Sequence, residues 1–434
     1  MKFFRERIIR FLPLLLLYVI LVILFSSDLF HDDEGAYVRL ANHIAGLSTP
    51  DEPVSLLFGP GYPIVLLPFV TLQIPWLGAT LLNAVFLFGA VVYFYSTLIL
   101  WIPEKYGTII CYLFGIYPPL MREIHLMHSE GLVFFLICGI MYHFCMLSRK
   151  SDKRRIHFFI TALFLGYLAL TKVFFVYVFI VMVTIYGILY LWKRIENFKQ
   201  VTLIYLFALL LCVPNLIYTY SVTGKAFYLG TSGGFLLYWM SSPYQNELGS
   251  AFHSNSVQKQ PYLAHHKDFF DKLSYLSEVE KDVEFKKQAI FNITHYPARY
   301  IVNWTANVGR MLFSYPFSCT QQKLTTYFFL LPNMFLVVLT FLSIYPAFRR
   351  WASIQIEIIT LFIFVLVAFG GVSLGSAINR YIAPLTPIII LWLSFIYLRV
   401  LKIELLPESE IWFPEEISEC NFLAGTRNMN NKYK

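Results

Sequence analysis

The chain has 434 residues, 58% hydrophobic and 14% charged, with a formal net charge of +8 and a mean hydropathy of +0.61. Soluble domains carry roughly a quarter charged residues and about 45–50% apolar ones, so this composition excludes an ordinary water-soluble enzyme and makes lipid the solvent for most of the chain. The basic excess sits in short loops between apolar runs, which fits topology determination better than nucleic-acid binding.

The N-terminus places Lys2, Arg5, Arg7 and Arg10 before an apolar stretch through Phe25. No small-x-small cleavage site follows and further apolar runs do, so it reads as a retained first helix rather than a signal peptide. A membrane crossing needs about 20 apolar residues. Candidate runs are 9–26, 78–100, 107–120, 130–147, 156–172, 173–192, 200–220, 324–346, 355–376 and 382–399. The predicted fold is therefore all-α, a polytopic transmembrane bundle of about ten spans. Segment 58–75 is also apolar, but Pro60, Pro63, Pro68 and Pro75 make it a re-entrant or interfacial stretch.

Alternating the run ends puts Lys2 to Arg10, Lys105, Arg149 to Arg155, Lys193 to Lys199, Arg349-Arg350, and Arg399 with Lys402 on one side. By the positive-inside rule that side, with both termini, is cytoplasmic. The opposite side receives loop 27–77, a turn near 118–129, the tip at Lys172, the long segment 221–323 and the tip around Arg380. The organisation is an N-terminal module 1–220, an external region 221–323, C-terminal spans 324–402 and a polar tail 403–434. Within the external region, 221–260 reads as irregular loop, 262–295 as solvated helix and 296–318 as an amphipathic interfacial segment. Asn292-Ile-Thr294 and Asn303-Trp-Thr305 match glycosylation sequons, a pattern frequent by chance. Six cysteines (Cys111, Cys138, Cys145, Cys212, Cys319, Cys420) form neither a CxxC pair nor a disulfide framework.

The chemistry collects on the external side. The first loop opens His31-Asp32-Asp33-Glu34, and Tyr37, Leu40, Ala41, Ile44, Ala45 and Leu47 then recur at helical spacing. Helix capping explains one carboxylate there. Three adjacent ones call for a cation, a proton-accepting role or a polar substrate. Arg122, Glu123, His125, His128 and Glu130 gather where the fourth run begins. His125-x-x-His128 is a weak metal signal without a third ligand. Lys172 and Arg380 are isolated cations at run ends, which either snorkel to the interface or face a cavity or partner. Together they suggest cations that hold a phosphate and a carboxylate that takes a proton from an incoming hydroxyl or amine. No nucleotide-binding glycine loop is present on the cytoplasmic side, which disfavours a soluble nucleotide donor.

Asp33-Glu34-x-x-Tyr37-x-x-x-Ala41, Phe58-Gly-Pro60-Gly-Tyr62-Pro63, Ser129-Glu130, Thr171-Lys172 and Arg380-Tyr381-x-x-Pro384-x-x-Pro387 occur in that order. In order and spacing over about 1–220 and 355–400 the chain resembles the polytopic GT-C glycosyltransferases of the protein mannosyltransferase-like and aminoarabinose transferase-like branch. Gly61 replaces a proline of that pattern, and Asn379 stands where glutamate is common.

The resemblance implies transfer of a sugar, with inversion, from a polyprenyl-phosphate carrier to a lipid, glycan or protein acceptor on the non-cytoplasmic face. It implies Asp33 as base, with Glu34 and Glu130 as further catalytic carboxylates, and Lys172, Arg380 and Tyr381 as donor-phosphate ligands. Tyr37, Asp32, Arg122 and Tyr62 complete the expected substrate site. A divalent cation such as Mg or Mn is a candidate cofactor with no ligand set assigned, and the expected location is a bacterial-type inner (plasma) membrane. A polysaccharide polymerase or ligase and a lipid-linked oligosaccharide flippase are the alternatives. The spans are nearly free of charge in their middles, which speaks against the flippase.

Overall fold

The computed structural model describes residues 2–27, 29–31, 33–48, 56–149, 153–316 and 326–401. Asp32, Cys319, Cys420 and the tail 403–434 lie outside the described residues. Every regular element among those described is helical. In chain order they begin α1 (Lys2–Phe25), α2 (Glu34–Ile44), α3 (Gly61–Thr71), α4 (Trp76–Leu98), α5 (Glu104–Gly115), α6 (Pro118–Arg122) and α7 (Glu130–Met146). There follow α8 (Arg154–Thr171), α9 (Phe175–Lys193), α10 (Glu196–Leu211), α11 (Val213–Thr223), α12 (Ser232–Met240) and α13 (Ser254–Lys259). The remainder are α14 (Lys267–Leu273), α15 (Glu278–His295), α16 (Pro297–Phe313), α17 (Tyr327–Arg349), α18 (Ile356–Ser373) and α19 (Thr386–Phe395).

Among the described residues six helical stretches are long and apolar enough to cross a membrane, or seven if α10 and α11, bent by 40° at Cys212, make one span. The sequence led to about ten. The other three expected spans are α5, only 12 residues, α7, 17 residues, and α8, whose 18 residues open on Arg154-Arg155. At 1.5 Å per residue α7 reaches about 26 Å, short of a hydrocarbon core of about 30 Å. Runs counted by apolarity alone overlook where a helix stops. The helix in segment 58–75 is α3, 11 residues with Pro68 inside it, too short to span.

Packing gathers the helices about α4 and α7. Helix α4 lies against α1 and α7, α7 against α8, and α10 against α8 and α9. At one end the basic residues converge on the turn after α4. Arg10 pairs with Glu104, Arg149 donates to the Leu100 carbonyl at 2.6 Å, and Arg399 donates to the Trp101 carbonyl. These are residues that charge patterning assigns to a single side.

A second apolar core, Tyr238, Trp239, Val257, Leu263, Phe270, Leu273 and Phe285, forms over α12 to α15. Ser277 and Glu280 close a capping box that starts α15. Asp282 then ties α15 back to α12, accepting from the Gly234 amide at 2.6 Å and the Tyr228 hydroxyl at 2.9 Å. Helix α16 joins this unit to the spans through two asparagines. Asn303 donates to the Met240 and Ser242 carbonyls at 3.0 and 2.8 Å, and Asn307 to those of Ser373 and Gly375 at 3.0 and 2.8 Å. Asn292 and Asn303, the two sequon asparagines, are both buried. Helix α16 is inverted in polarity, with Asn303, Asn307 and Arg310 buried and Ile301, Val302 and Trp304 exposed. That arrangement suits a helix whose outer face meets lipid.

The loop before α3 packs tightly on the end of α8. A Cβ on Gly59 would collide with the Leu170 carbonyl, and one on Gly61 with Thr171. The Tyr167 hydroxyl donates to the Gly61 carbonyl at 2.7 Å, fixing the same approach. Gly61→Ala is expected to destabilise the fold by about 1–3 kcal/mol through overpacking, read as a lowered melting temperature of the detergent-purified chain.

Candidate functional site

The first loop reaches the site because α2 is anchored by its apolar face. Ala36, Tyr37, Val38, Leu40 and Ala41 are buried. The Tyr37 ring stacks on Phe58 at 4.5 Å and meets Tyr62 edge-on at 5.0 Å. Its hydroxyl lies 3.1 Å from Ser129 Oγ, so α2 is pinned to the start of α7. Asp33 stands at the N-cap position of α2 but makes no capping hydrogen bond there. Its carboxylate pairs instead with the Arg380 guanidinium, 347 residues further along the chain.

Arg380 also faces Glu130, with Nε 3.9 Å from Oε1, and Lys172 Nζ donates to the same oxygen at 3.0 Å. Asp33, Arg380, Glu130 and Lys172 thus form a chain of alternating charge, built from the first loop, the last span, the start of α7 and the break between α8 and α9. The Tyr381 ring stands 5.7 Å from the Lys172 ammonium and 5.9 Å from the Arg380 guanidinium carbon. Glu130 Oε2 and Arg380 Nε are buried with no hydrogen-bond partner among the described residues. The charge chain therefore retains unused bonding capacity.

A cavity of about 380 Å³ opens beside it. Asp33, Lys172, Arg380 and Tyr381 line it together with Arg310, while Phe58, Phe235 and Phe252 give it aromatic walls. Arg310 is 1% exposed, and its guanidinium contacts neutral oxygens: the Leu248 carbonyl at 2.7 Å and Asn307 Oδ1 at 3.2 Å. Burial pushes its pKa down to about 10, which still leaves it charged at neutral pH. Among the described residues no carboxylate pairs with it. Sequence reasoning missed Arg310. The available signal was a lone arginine on the asparagine-bearing face of an amphipathic segment.

Several expected site residues sit elsewhere. Glu34 is 5% exposed, and its two oxygens accept the His31 amide at 2.5 Å and the Met127 amide at 2.6 Å. It pins the loop and does not line the cavity. Arg122, expected to bind substrate, is exposed, paired with Glu123 at 3.4 Å and set over the Phe329 ring. Tyr37 and Tyr62, both 1% exposed, pack behind the cavity wall as supports. His128 Nδ1 lies 2.9 Å from Glu123 Oε2, whereas His125 meets the Phe25 ring, so the pair does not converge on one point.

No protein-family model matches the chain, and no curated protein does. Among solved structures it is similar to the archaeal oligosaccharyltransferase AglB from Archaeoglobus fulgidus, in complex with an inhibitory peptide and a dolichol-phosphate. The identity is 12% and the TM-score 0.47, over 89% of this chain and 50% of that one. The present chain thus spans about half the length of that structure.

Glu34→Ala leaves the buried Met127 amide and the more exposed His31 amide without their acceptor. It is expected to cost about 1–3 kcal/mol of stability, seen as a lower melting temperature and a smaller folded yield on size exclusion.

Proposed function

We propose that the chain is a membrane glycosyltransferase of GT-C form, moving a sugar from a polyprenyl-phosphate carrier to a hydroxyl or amine acceptor on the non-cytoplasmic face. The observation that carries this reading is the alternating chain of Asp33, Arg380, Glu130 and Lys172, of which Asp33, Arg380 and Lys172 line the cavity while buried Glu130 backs the two cations. Beside it, an apolar cleft lined by Met311, Leu336, Phe341, Leu366 and Phe369 also includes Asn379, the residue preceding Arg380. A phosphate held by Arg380 could thus continue into a hydrocarbon tail without leaving apolar surroundings. Gathering of Arg10, Arg149 and Arg399 at one end supports a cytoplasmic assignment for that end.

In this reading the donor phosphate competes with Asp33 for Arg380 and draws on its unpartnered Nε. Binding the donor thereby frees the Asp33 carboxylate. The acceptor oxygen attacks the anomeric carbon and its proton passes to Asp33. The carbon–oxygen bond to phosphate breaks with its electron pair moving onto the phosphate oxygen, where Lys172 and Arg380 meet the charge. Glu130 holds both cations in register. Attack opposite the leaving group inverts the anomeric centre.

A Mg- or Mn-type ion needs about six oxygen ligands. Asp33 and Glu130 are already engaged by Arg380 and Lys172, and no third metal-ligating side chain joins them among the described residues. In the resting arrangement both carboxylates are taken up by cations, so no step is routed through a metal ion.

Purified protein incubated with a panel of polyprenyl-phosphate sugars is expected to release free carrier in a sugar-dependent way. Asp33→Asn should slow release by about 10²–10⁴-fold with the folded yield retained. Lys172→Ala should weaken donor binding. Near-normal turnover in Asp33→Asn would sink the assignment of the base.

A further inference from the structure

Away from the cavity wall, the described residues bring three metal-ligating side chains together at Glu247, His265 and His266, whose ligand atoms all lie within 4.8 Å of one another. His265 and His266 close the 3₁₀ turn Pro261–His266. Neighbours in such a turn ordinarily diverge, being about a third of a revolution apart. Here both rings point Nε2 at the same oxygen, Glu247 Oε1, at 2.6 and 2.8 Å.

The surroundings orient each group. Glu247 and His266 are 2% and 3% exposed. The Tyr238 hydroxyl lies 2.6 Å from His266 Nδ1, Ser242 donates to the second Glu247 oxygen, and the Tyr244 ring packs on His265 at 3.7 Å. The His265 side chain is one-third exposed, giving solvent access to the convergence point.

We propose that Glu247, His265 and His266 bind one divalent transition-metal ion of the zinc class. Two imidazole nitrogens, one carboxylate oxygen and an open side suit a tetrahedral ion whose fourth ligand is water. Ligand atoms about such an ion stand about 3.3 Å apart, so the one-third exposed His265 ring opens from 2.6 Å and the buried His266–Glu247 pair from 2.8 Å, each by less than an ångström. The ion displaces the hydrogen on each Nε2 that faces Glu247 Oε1, and in a neutral ring that hydrogen returns at Nδ1 by exchange with solvent. His266 Nδ1 then carries hydrogen and donates to Tyr238, which fixes the ring with Nε2 toward the ion.

The site has a structural consequence for the cavity. The Ser250 amide donates to the Glu247 carbonyl at 2.9 Å, and Ser250 to His253 form part of the cavity wall. The Leu248 carbonyl accepts from Arg310. An ion at Glu247 therefore staples the wall segment to the histidine turn. The proposal stands on this cluster alone and does not depend on the glycosyl-transfer reading.

The test uses the full chain in detergent, freed of any affinity tag, stripped with chelator and dialysed against low-micromolar zinc. Plasma mass spectrometry is expected to find one zinc per chain, and X-ray absorption only nitrogen and oxygen ligands at about 2.0–2.1 Å. Zinc should raise the melting temperature of the wild type. In His265→Ala it should not, each variant being compared with its own zinc-free sample so that any stability lost with the ring is cancelled. His265→Ala and Glu247→Gln are each expected to lower zinc affinity by about tenfold or more, whereas His295→Ala, outside the cluster, retains it. A wild type that retains no zinc, retention unchanged in His265→Ala, or sulfur in the ligand shell would overturn the proposal.

Discussion

The contact between Asp33 and Arg380 is where the chain closes on itself. It joins the first loop to the start of the last span, and through Glu130 and Lys172 it draws in two more helix junctions. Four charges brought out of water at a helix bundle's edge are tolerable only because each cation faces a carboxylate. Truncating Glu130, the innermost carboxylate, would leave Lys172 without its counter-charge, a loss that commonly costs about 3–5 kcal/mol, whereas Arg380 keeps Glu130 when Asp33 becomes Asn. The supporting features follow from this demand. Glu34 holds the loop, Tyr37 keys α2 to α7, and the two glycines let the loop before α3 lie on the α8 end beside Lys172.

The charge chain also meets the requirement of phosphoryl leaving-group chemistry, which is a preorganised positive field with a carboxylate nearby. In the resting structure the carboxylates satisfy the cations. A ligand bearing phosphate would exchange one anion for another, so the desolvation of Lys172 and Arg380 is already met before it arrives. Arg310 adds a third cation to the cavity lining, held by carbonyl oxygens rather than by an acid.

Much of this was legible in the sequence because isolated charges in an apolar chain have few places to go. Asp33, Glu130, Lys172 and Arg380 stood out at run ends, and the structure brings them together. All-helical architecture followed from composition for the same reason. Features decided by long-range packing were hidden. Nothing in His31-Asp32-Asp33-Glu34 says which carboxylate turns inward to backbone amides, and the answer depends on Met127, 93 residues away. Of the ten expected runs, six or seven are long apolar helices among the described residues, and α5, α7 and α8 are shorter or more polar because hydropathy does not register the helix ends at Gly115 or before α7. Glu247 and the two histidines are separated by a loop and a turn whose folding no periodic pattern announces.

The reversed polarity of α16 has its own bearing on access. A helix that keeps its amides inward and shows Ile301, Val302 and Trp304 outward has the face of a beam suited to a bilayer surface rather than of a lid suited to water. Arg310 reaches the cavity from the buried face of this helix, so an outer face set against lipid would put the chamber's ceiling near headgroup depth. Molecules anchored in the leaflet would come in laterally beneath that beam, and anything dissolved in water would have to dip a flexible strand down to meet them.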